Sequence, residues 1–393
     1  MGGVERSTSL IIKHIDRNLY EPILVCSDEP AITPMAEEVA ASGAEVIRTP
    51  LLSVFPKEHA LVRLRAMREL LAKLKIDILH IQVLGGTGGK LAALAAKMAG
   101  VPVVIITVRG AALNPLPSLK QRASRLLDRS VNRYTTATEQ NRQLQIANVG
   151  RRPGKVRTIY NAIDVAPFAS PISASEARAS LGLPPEGPII GTIGRLDPQK
   201  GPEYFLEMAA IVHKQRPDAH FVMVGDGELR PEYEALARKY GVEKCVTFAG
   251  YRSDVNRCLA AMDVFVLAST FEPFGLVLAE ALMAKRAVVA TNVGGIPEVV
   301  NDGVTGTIVE ARNAAALARG ALNYLQHPQL AAEHGNAGRE DALARFSEDR
   351  LMADLHDLYQ REWYGRRSNG SPASFNQAVV HMSDSVANRP FSH

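Results

Sequence analysis

The chain has 393 residues, of which 46% are hydrophobic, and a formal net charge of +4. This length is enough for two domains of ordinary size, and the apolar fraction supports real cores. Residues 1–170 hold 23 Lys and Arg against 14 Asp and Glu, and residues 171–393 hold 22 against 27; the basic excess comes with few aromatics and no recognised module, which disfavours a nucleic-acid binder.

Cysteine usage indicates a reducing compartment, and the hydropathy pattern argues against a membrane-spanning helix. Cys26, Cys245 and Cys258 are widely spaced and odd in number, so they predict neither a disulfide framework nor a metal-binding pair. No apolar run reaches the roughly eighteen residues of a spanning helix, and the N-terminus lacks a signal-peptide pattern. We expect a cytoplasmic protein, soluble or peripheral at the inner face of the plasma membrane.

Short β-branched runs alternate with helical patterns along the chain, which is typical of parallel sheets with crossover helices. Strands are predicted at Pro22–Cys26, Glu45–Ile47, Ile76–Ile81, Val103–Val108, Arg133–Ala137, Val156–Ile159, Ile189–Ile193, His220–Val224, Val246–Ala249, Val264–Leu267, Ala287–Ala290 and Gly306–Val309. Ala166–Pro188, rich in Ala, Ser and Pro, is predicted as a linker. The pattern predicts an α/β fold with two Rossmann-like domains facing across a cleft, and with ligands at the carboxyl ends of the strands.

Two features of the first half have a structural and a functional interpretation. Gly85–Lys90 lies between a strand and a helix but is not a P-loop, because Leu84 replaces the first glycine and Leu91 replaces the Ser or Thr that meets magnesium. A glycine-rich turn that lines the cleft is favoured over a phosphate site. His80 lies in an apolar strand, where it is either a core residue or a cleft residue.

A basic segment in the first half is the best surface-binding candidate. Its arginines recur at three- and four-residue spacing, which predicts one shared helix face, with Leu126 and Leu127 on the apolar side. They are Arg122, Arg125, Arg129 and Arg133. Such a face suits an anionic membrane surface or an anionic acceptor, and the alternative is a solvated surface.

In the second half, Gly194-Arg195-Leu196-Asp197-Pro198-Gln199-Lys200-Gly201 follows the strand Ile189–Ile193 and precedes a helix with Pro202 at its first position. Arginine can bridge two phosphate oxygens and lysine acts as a point charge, so both can stabilise charge on a departing phosphate. The alternative for Arg195 and Lys200 is a surface ion pair with Asp197 or Glu203.

The segment Phe271-Glu272-Pro273-Phe274-Gly275-Leu276-Val277-Leu278-Ala279-Glu280 predicts a helix that begins near Gly275. Pro273 keeps Glu272 out of helical geometry, and the free amides at the helix start suit a phosphate. On a continuous helix the two glutamates, eight positions apart, would be roughly 80° apart around the axis, so they should serve different parts of one ligand. Acceptor-only carboxylates suit a hydroxyl-rich ligand such as a ribose and a hexose.

The end of the chain divides into a helix and a tail. From Ser347, the residues Leu351, Leu355, Leu358, Tyr359 and Trp363 share one helix face, so this helix should dock. Residues 365–393 are polar without sustained periodicity, and we expect a loose tail with no catalytic role.

Together with Gly194–Gly201 and Gly294-Gly295-Ile296-Pro297-Glu298, the segment Phe271–Glu280 resembles the motifs of the retaining family-4 glycosyltransferases (glycosyl transferases group 1), which have the GT-B fold. The resemblance implies an N-terminal acceptor-binding domain at residues 1–168, a nucleotide-sugar donor-binding domain at 169–346, a helix at 347–364 that crosses back to the N-terminal domain, and a tail at 365–393.

The resemblance also implies the roles of individual residues. Arg195 and Lys200 grip the donor diphosphate, Glu272 holds donor-sugar hydroxyls and Glu280 holds the ribose. The amides of Phe274, Gly275 and Leu276 bind the phosphate and sugar, Gly225 borders the nucleotide pocket, and Gly2 and Gly3 let the backbone approach the donor phosphate. Arg109 stands where family members often carry a sugar-contacting histidine, which suggests an anionic sugar or acceptor, or another geometry.

One departure from the family pattern lies at the start of the sequence. Met1-Gly2-Gly3-Val4-Glu5-Arg6 resembles the glycine loop that normally follows the first strand of the N-terminal domain, and that strand is missing. We expect either a shortened gene product or an open sheet with an exposed strand edge.

The predicted function is retaining transfer of a sugar from a nucleoside-diphosphate sugar, such as a UDP-sugar, to a glycan or lipid-linked acceptor in cell-surface polysaccharide or lipopolysaccharide synthesis. No metal and no cofactor is expected, because fixed cations and the helix start replace a divalent ion. The alternatives are a nucleotide-sugar epimerase or glucan synthase of the same fold, and a non-catalytic nucleotide-sugar-binding protein.

Overall fold

The computed structural model describes residues 2–52, 59–85, 88–365 and 377–384, and the chain forms two compact units. The first comprises residues 1–162 and 348–393, and the second comprises residues 163–347. Ala166–Pro188, predicted as a linker, lies within the second unit and contains a helix, Ala174–Ser180. No helix among the described residues is both long enough and apolar enough to span a membrane.

The N-terminal part of the first unit alternates strands and helices. The strands are β1 (Tyr20–Cys26), β2 (Glu45–Arg48), β3 (Ile78–Val83), β4 (Val103–Val108), β5 (Arg133–Thr136) and β6 (Val156–Thr158). The helices are α1 (Gly3–His14), α2 (Thr33–Ala41), α3 (Ala60–Leu74), α4 (Lys90–Met98), α5 (Ser118–Leu127) and α6 (Glu139–Ala147). Every residue of β3 and β4 is buried, as expected of parallel strands with helices on both faces.

The second unit has its own parallel sheet, in the order β12-β11-β10-β7-β8-β9. Its strands are β7 (Ile189–Ile193), β8 (His220–Val224), β9 (Val246–Gly250), β10 (Val264–Leu267), β11 (Ala287–Thr291) and β12 (Thr307–Val309). Its helices are α7 (Ala174–Ser180), α8 (Pro202–Gln215), α9 (Arg230–Tyr240), α10 (Val255–Ala260), α11 (Leu276–Met283), α12 (Ile296–Val299), α13 (Ala314–Gln326) and α14 (Pro328–Phe346). Each predicted strand overlaps one of β1 to β12.

The chain then returns to the first unit with α15 (Glu348–Tyr364). The predicted apolar face of this helix is confirmed, because Leu351, Leu355, Leu358, Tyr359 and Trp363 are all buried in one cluster with residues of α1, β3 and β4. The helix therefore docks on the first unit.

The last element, β13 (Gln377–Asp384), is an interior strand of the first unit, where the sheet order is β2-β1-β13-β3-β4-β5-β6. It pairs in parallel with β1, from Tyr20 opposite Gln377, and with β3, from Ile78 opposite Val379. The prediction of a loose tail is wrong for this segment, and β1 and β3 are not left as open edges. Residues 366–376 and 385–393 of the predicted tail, like Met1, Gly86 and Thr87, lie outside the described residues.

Candidate active site in the second unit

The loop after β7 places two cations at the carboxyl end of the sheet. Asp197 caps the short turn Pro198–Lys200, since one of its carboxylate oxygens accepts a hydrogen bond from the Lys200 amide at 3.2 Å. Its other oxygen lies 2.9 Å from Arg195, whose side chain is 54% exposed. The predicted alternative pairing of Arg195 with Asp197 is thus present, and it leaves half of the arginine side chain facing solvent.

The loop after β10 is fastened to the loop after β7. The Thr270 amide donates to the Gln199 carbonyl at 2.8 Å, and the Thr270 hydroxyl donates to the Pro198 carbonyl at 3.1 Å. Gly201 makes this approach possible, because its φ is +62° and an added Cβ would lie 2.2 Å from the Ala268 carbonyl oxygen. Residues separated by about seventy positions are therefore held side by side.

The result is a direct ion pair between Lys200 and Glu272. The lysine Nζ lies 2.5 Å from a Glu272 carboxylate oxygen, and the two side chains are 21% and 7% exposed. The Ser269 hydroxyl lies 3.5 Å from the same oxygen. Lys200 thus pairs with the carboxylate that the sequence assigns to the sugar, and not with Asp197 or Glu203 as the ion-pair alternative had it.

Glycines after β8 and β11 allow the backbones of neighbouring loops to come into close contact. At Gly294, with φ +56°, an added Cβ would lie 1.9 Å from the Glu272 carbonyl oxygen, and the Gly295 amide donates to that oxygen at 2.8 Å. At Gly225, with φ +131°, an added Cβ would lie 1.9 Å from the Gly194 carbonyl oxygen. Neither position accepts a side chain without backbone movement, so these glycines fix the backbone beneath Arg195 and Glu272.

The helix α11 begins where the sequence predicts. Gly275 is its N-cap in the left-handed conformation, with φ +86°, and Leu276 is the first helical residue. The first amides of a helix have no intrahelical partner, so this end can bind an anion. Phe274 is buried, with its ring 5.4 Å from that of Phe346, which leaves its backbone and not its side chain as a ligand group.

The second glutamate of the motif, Glu280, lies one turn inside α11 and is 3% exposed. Ionised carboxylates are almost never this buried unless they are paired. On α8, burial raises the pKa of the Glu203 carboxyl above its ordinary value. The second unit therefore concentrates cations, helix amides and buried carboxylates at the carboxyl ends of β7, β8, β10 and β11.

The predicted residues of the first unit are a separate group. Gly2 is the N-cap of α1 and Gly3 its first residue, and both are exposed. The role at the donor phosphate that the resemblance implies for Gly2 and Gly3 stays a prediction. Lys90, which ends the glycine turn Gly85–Lys90, is buried and pairs with Asp128 at 3.4 Å, which agrees with the rejection of a P-loop.

His80 and Arg109 are buried in the first unit, so the interpretation of His80 as a core residue is confirmed and its alternative as a cleft residue is wrong. The His80 ring nitrogens lie 2.7 Å from the Tyr359 hydroxyl and 2.6 Å from the Thr107 hydroxyl. Burial, helped by His381 and Arg109, holds the pKa of His80 well below its ordinary value. Arg109 donates to Gln82 at 3.0 Å and to Asn161, and burial lowers its pKa to about 10.

Sequence reasoning missed three groups around these sites. Ser269 and Thr270 carry no motif of their own and reach the site only through loop packing. His381 on β13 is fully buried with its ring 5.3 Å from that of His80. A short apolar run around Val379 and Val380 was the one available signal for that strand.

Two Rossmann-like units, each with its own parallel sheet, are the architecture of the GT-B glycosyltransferases, and comparison with known proteins gives the class and the family. Residues 173–341 match "Glycosyl transferases group 1" and residues 1–167 match "Glycosyltransferase Family 4". Because the two matches together span most of the chain, it belongs to the family-4 glycosyltransferases.

Similar proteins agree with this class. The chain is 27% identical over 322 residues to the UDP-Gal:alpha-D-GlcNAc-diphosphoundecaprenol alpha-1,3-galactosyltransferase of Escherichia coli, covering 79% of this chain and 81% of that enzyme. It is 32% identical to the D-inositol 3-phosphate glycosyltransferase of Mycolicibacterium gilvum, covering 62% of this chain and 57% of that enzyme.

Solved structures show the same fold. A glycosyltransferase from Rickettsia africae superposes with a TM-score of 0.81 at 22% identity, covering 92% of this chain and 95% of that one. Anabaena HepE, solved in complex with UDP and glucose, superposes with a TM-score of 0.77 at 22% identity, covering 91% and 96% of the two chains.

Proposed function

We propose that this glycosyltransferase moves a sugar from a UDP-sugar to a glycan or lipid-linked acceptor with retention of anomeric configuration. The observation that carries the proposal is the Lys200–Glu272 pair beside the start of α11. A nucleoside-diphosphate sugar has phosphates, which a cation and free helix amides can bind, and sugar hydroxyls, which a carboxylate can bind. Names of similar proteins that include UDP or UDP-Gal support uridine as the base.

In the proposed mechanism, the bond between the anomeric carbon and the β-phosphate oxygen breaks while Arg195 and Lys200 stabilise the charge that develops on the departing phosphate. The acceptor hydroxyl oxygen bonds to the anomeric carbon on the same face. Its proton passes to the leaving phosphate oxygen, so no protein base is required. Glu272 orients the sugar hydroxyls, Glu280 holds the ribose, and the amides from Phe274 to Leu276 bind phosphate and sugar.

We also propose that transfer needs no divalent metal. Arg195, Lys200 and the positive end of α11 supply three sources of positive potential where the diphosphate would lie. Transfer assays with excess EDTA should retain full rate. A rate that falls with EDTA and returns with Mg²⁺ or Mn²⁺ would overturn this part of the proposal.

The first test is calorimetric titration with UDP, GDP and ADP. One nucleotide should bind, and Glu280→Ala should weaken it by about tenfold or more, because a charge-assisted hydrogen bond contributes roughly 1.5–3 kcal/mol. Glu232→Ala, at an exposed position on α9, is the matched control. Equal binding by both variants would refute the proposed ribose contact.

Product analysis then separates the alternatives. A transferase releases UDP only with an acceptor and gives a product of the donor's anomeric configuration, which NMR detects. Isomerised donor without acceptor would indicate an epimerase, and nucleotide binding without sugar release would indicate a binding protein.

We further propose that the enzyme works at an anionic membrane surface, as enzymes of cell-surface polysaccharide or lipopolysaccharide synthesis would, and that α5 makes the contact. Leu119 and Leu126, seven residues apart and 79% and 61% exposed, share a face beside Lys120 and Arg122. The predicted four-arginine helix face is wrong: α5 ends at Leu127, and Arg133 lies on β5, where it pairs with Glu362 at 2.6 Å.

Vesicle sedimentation tests this contact. The chain should bind vesicles that contain phosphatidylglycerol better than phosphatidylcholine vesicles, and added salt should weaken the binding. Leu119→Ser should reduce it, whereas Leu343→Ser, at an exposed position on α14, should not. Equal effects of the two variants would contradict the role of α5.

A further inference from the structure

A second candidate binding site lies at the amino ends of the strands of the same sheet, opposite the carboxyl ends that hold the first site. The second unit contains a cavity of about 370 Å³ beside the amino ends of β10 and β11. Its size falls within the range of small-molecule sites. All strands of a parallel sheet run in one direction, so the amino ends lie on the opposite side of the sheet from Arg195 and Glu272, which follow the carboxyl ends of β7 and β10.

The lining of this cavity, which we call the basic cavity, is positively charged. Lys285, Arg286 and Arg339 line it, and none of its lining residues in the described chain is Asp or Glu. Asn256 adds a polar group, and Phe168 and Ile172 are among its apolar residues.

Backbone carbonyls, rather than carboxylates, hold the two guanidinium groups. Arg339 donates to the Met283 carbonyl at 2.7 Å and to the Phe168 carbonyl at 3.2 Å. Arg286 donates to the Ala284 carbonyl at 2.9 Å and to the Met262 carbonyl at 2.7 Å. These bonds orient the groups. Burial lowers the pKa of Arg286, and the charge of Asp263 partly opposes that shift.

Lys285 has an unfavourable backbone for its residue type. It follows the end of α11 with φ +57°, in the left-handed region that glycine prefers. A non-glycine residue there costs roughly 1 kcal/mol or more. Its ammonium is exposed and forms no side-chain hydrogen bond or ion pair with another described residue. The lysine is therefore not explained by helix termination alone.

We propose that the basic cavity binds the phosphate or diphosphate group of a ligand other than the sugar donor, with Lys285 as the free cation and Arg286 and Arg339 as fixed ones. Asp263, the carboxylate that acts on Arg286, is itself paired with Arg178 at 2.9 Å and does not line the cavity. Three lining cations therefore create a positive potential that an oxyanion neutralises. The site is independent of the proposed function, because none of its residues belongs to the loops after β7, β8 or β10.

Calorimetric titration with inorganic pyrophosphate tests the site. Lys285→Asn removes the charge and keeps a residue that tolerates positive φ, and it should weaken binding by about tenfold or more. Lys75→Asn is the matched control, since Lys75 also follows a helix, α3, at φ +50°. It should bind like the unmodified chain.

Lys200→Ala distinguishes this site from the donor site. The proposed donor site can bind pyrophosphate as well, so the basic cavity is supported by a binding event that Lys285→Asn weakens and Lys200→Ala leaves unchanged. Binding lost only in Lys200→Ala, equal binding by Lys285→Asn and Lys75→Asn, or no binding at all would overturn the proposal.

A second arm identifies the source of the phosphate. Soluble dihexanoyl phosphatidate should bind more tightly than pyrophosphate if the ligand is a lipid headgroup, because Phe168 and Ile172 would then contact acyl chain. Tighter binding of pyrophosphate indicates a soluble phosphorylated compound. In either case Lys285→Asn should reduce the affinity.

Discussion

At the scale of single residues, the site rests on contacts between groups far apart in the sequence. Lys200 and Glu272 are 72 positions apart and touch only because Thr270 is bonded to the loop after β7. The motifs predict both residues, and their charges predict phosphate and sugar ligands. Their mutual pairing was not predicted, because side-chain partners depend on loop geometry.

Removing either member of this pair should abolish transfer. Lys200→Ala deletes a cation aimed at the leaving phosphate, and Glu272→Ala deletes the sugar contact, so each should lower kcat by about 10²-fold or more. Steady-state kinetics measure this, and circular dichroism should show an unchanged fold. Lys239→Ala, at an exposed position on α9, is the control. Near-normal turnover in either site variant would sink the assignment.

Two glycine substitutions distinguish the cost of a positive φ from the cost of a steric clash with a neighbouring backbone. Gly294→Ala should destabilise the second unit by several kcal/mol, because its Cβ would lie 1.9 Å from the Glu272 carbonyl oxygen. Gly303→Ala, where φ is +72° and no atom lies within 4 Å of the added Cβ, should cost only about 1 kcal/mol. Urea unfolding measures both; equal costs would mean that the contact with Glu272 can relax.

At the scale of elements, β13 brings two buried histidines together. His381 is fully buried, neither ring nitrogen has a hydrogen-bond partner among the described residues, and its ring faces His80. Burial and the nearby Arg109 lower the pKa of His381 to about 3. Tyr359 on α15 is hydrogen-bonded to His80. Among the described residues, no carboxylate is recorded as acting on His381.

These histidines should make the first unit sensitive to acid. Both histidines are neutral in the folded chain, whereas in the unfolded chain they bind protons below about pH 6.5. The free energy of unfolding of the first unit is therefore unaffected by them above that pH and decreases as the pH falls towards 3. The loss is about 1.4 kcal/mol per pH unit for each proton taken up on unfolding.

Guanidinium unfolding at pH 7.5 and pH 5.0 measures this loss. Trp363 is the chain's single tryptophan and lies buried in the first unit, so its fluorescence reports that unit. His381→Phe should reduce the loss, whereas His59→Phe, at an exposed position, should not. An unchanged pH dependence in His381→Phe would show that other groups control acid unfolding.

At the scale of the whole molecule, the first unit depends on a strand from the far end of the chain. Val379 packs with α1 and α15 on one face of the sheet, and Val380 packs with α3 and α4 on the other. Loss of β13 would divide β1 and β2 from β3 to β6. We therefore expect the C-terminal segment to be essential for folding of the first unit and not of the second.

Val380→Asp tests this dependence in the full chain. An unpaired buried charge costs several kcal/mol, comparable with the 5–15 kcal/mol total stability of a typical domain. Trp363 emission should shift to the red, while hydrogen exchange should show protected amides in β7 and β10. Val304→Asp, at a position that is 49% exposed, is the control. Native Trp363 emission in Val380→Asp would contradict a structural role for β13.

The sequence by itself determined the alternating strands, the helix start at Gly275, the buried face of α15 and the motif residues Arg195, Lys200 and Glu272. These follow from local periodicity, backbone preference and side-chain chemistry, which a short stretch of sequence contains.

Only the tertiary structure decided the interior place of β13 between β1 and β3, the burial of His80 and Arg109, and the Lys200–Glu272 contact. The register of β13 pairs Tyr20 with Gln377, and an eight-residue strand after a polar stretch has no local signal of its partner. Such pairings depend on which surfaces the rest of the fold leaves to be covered, so they arise only once the sheet has formed.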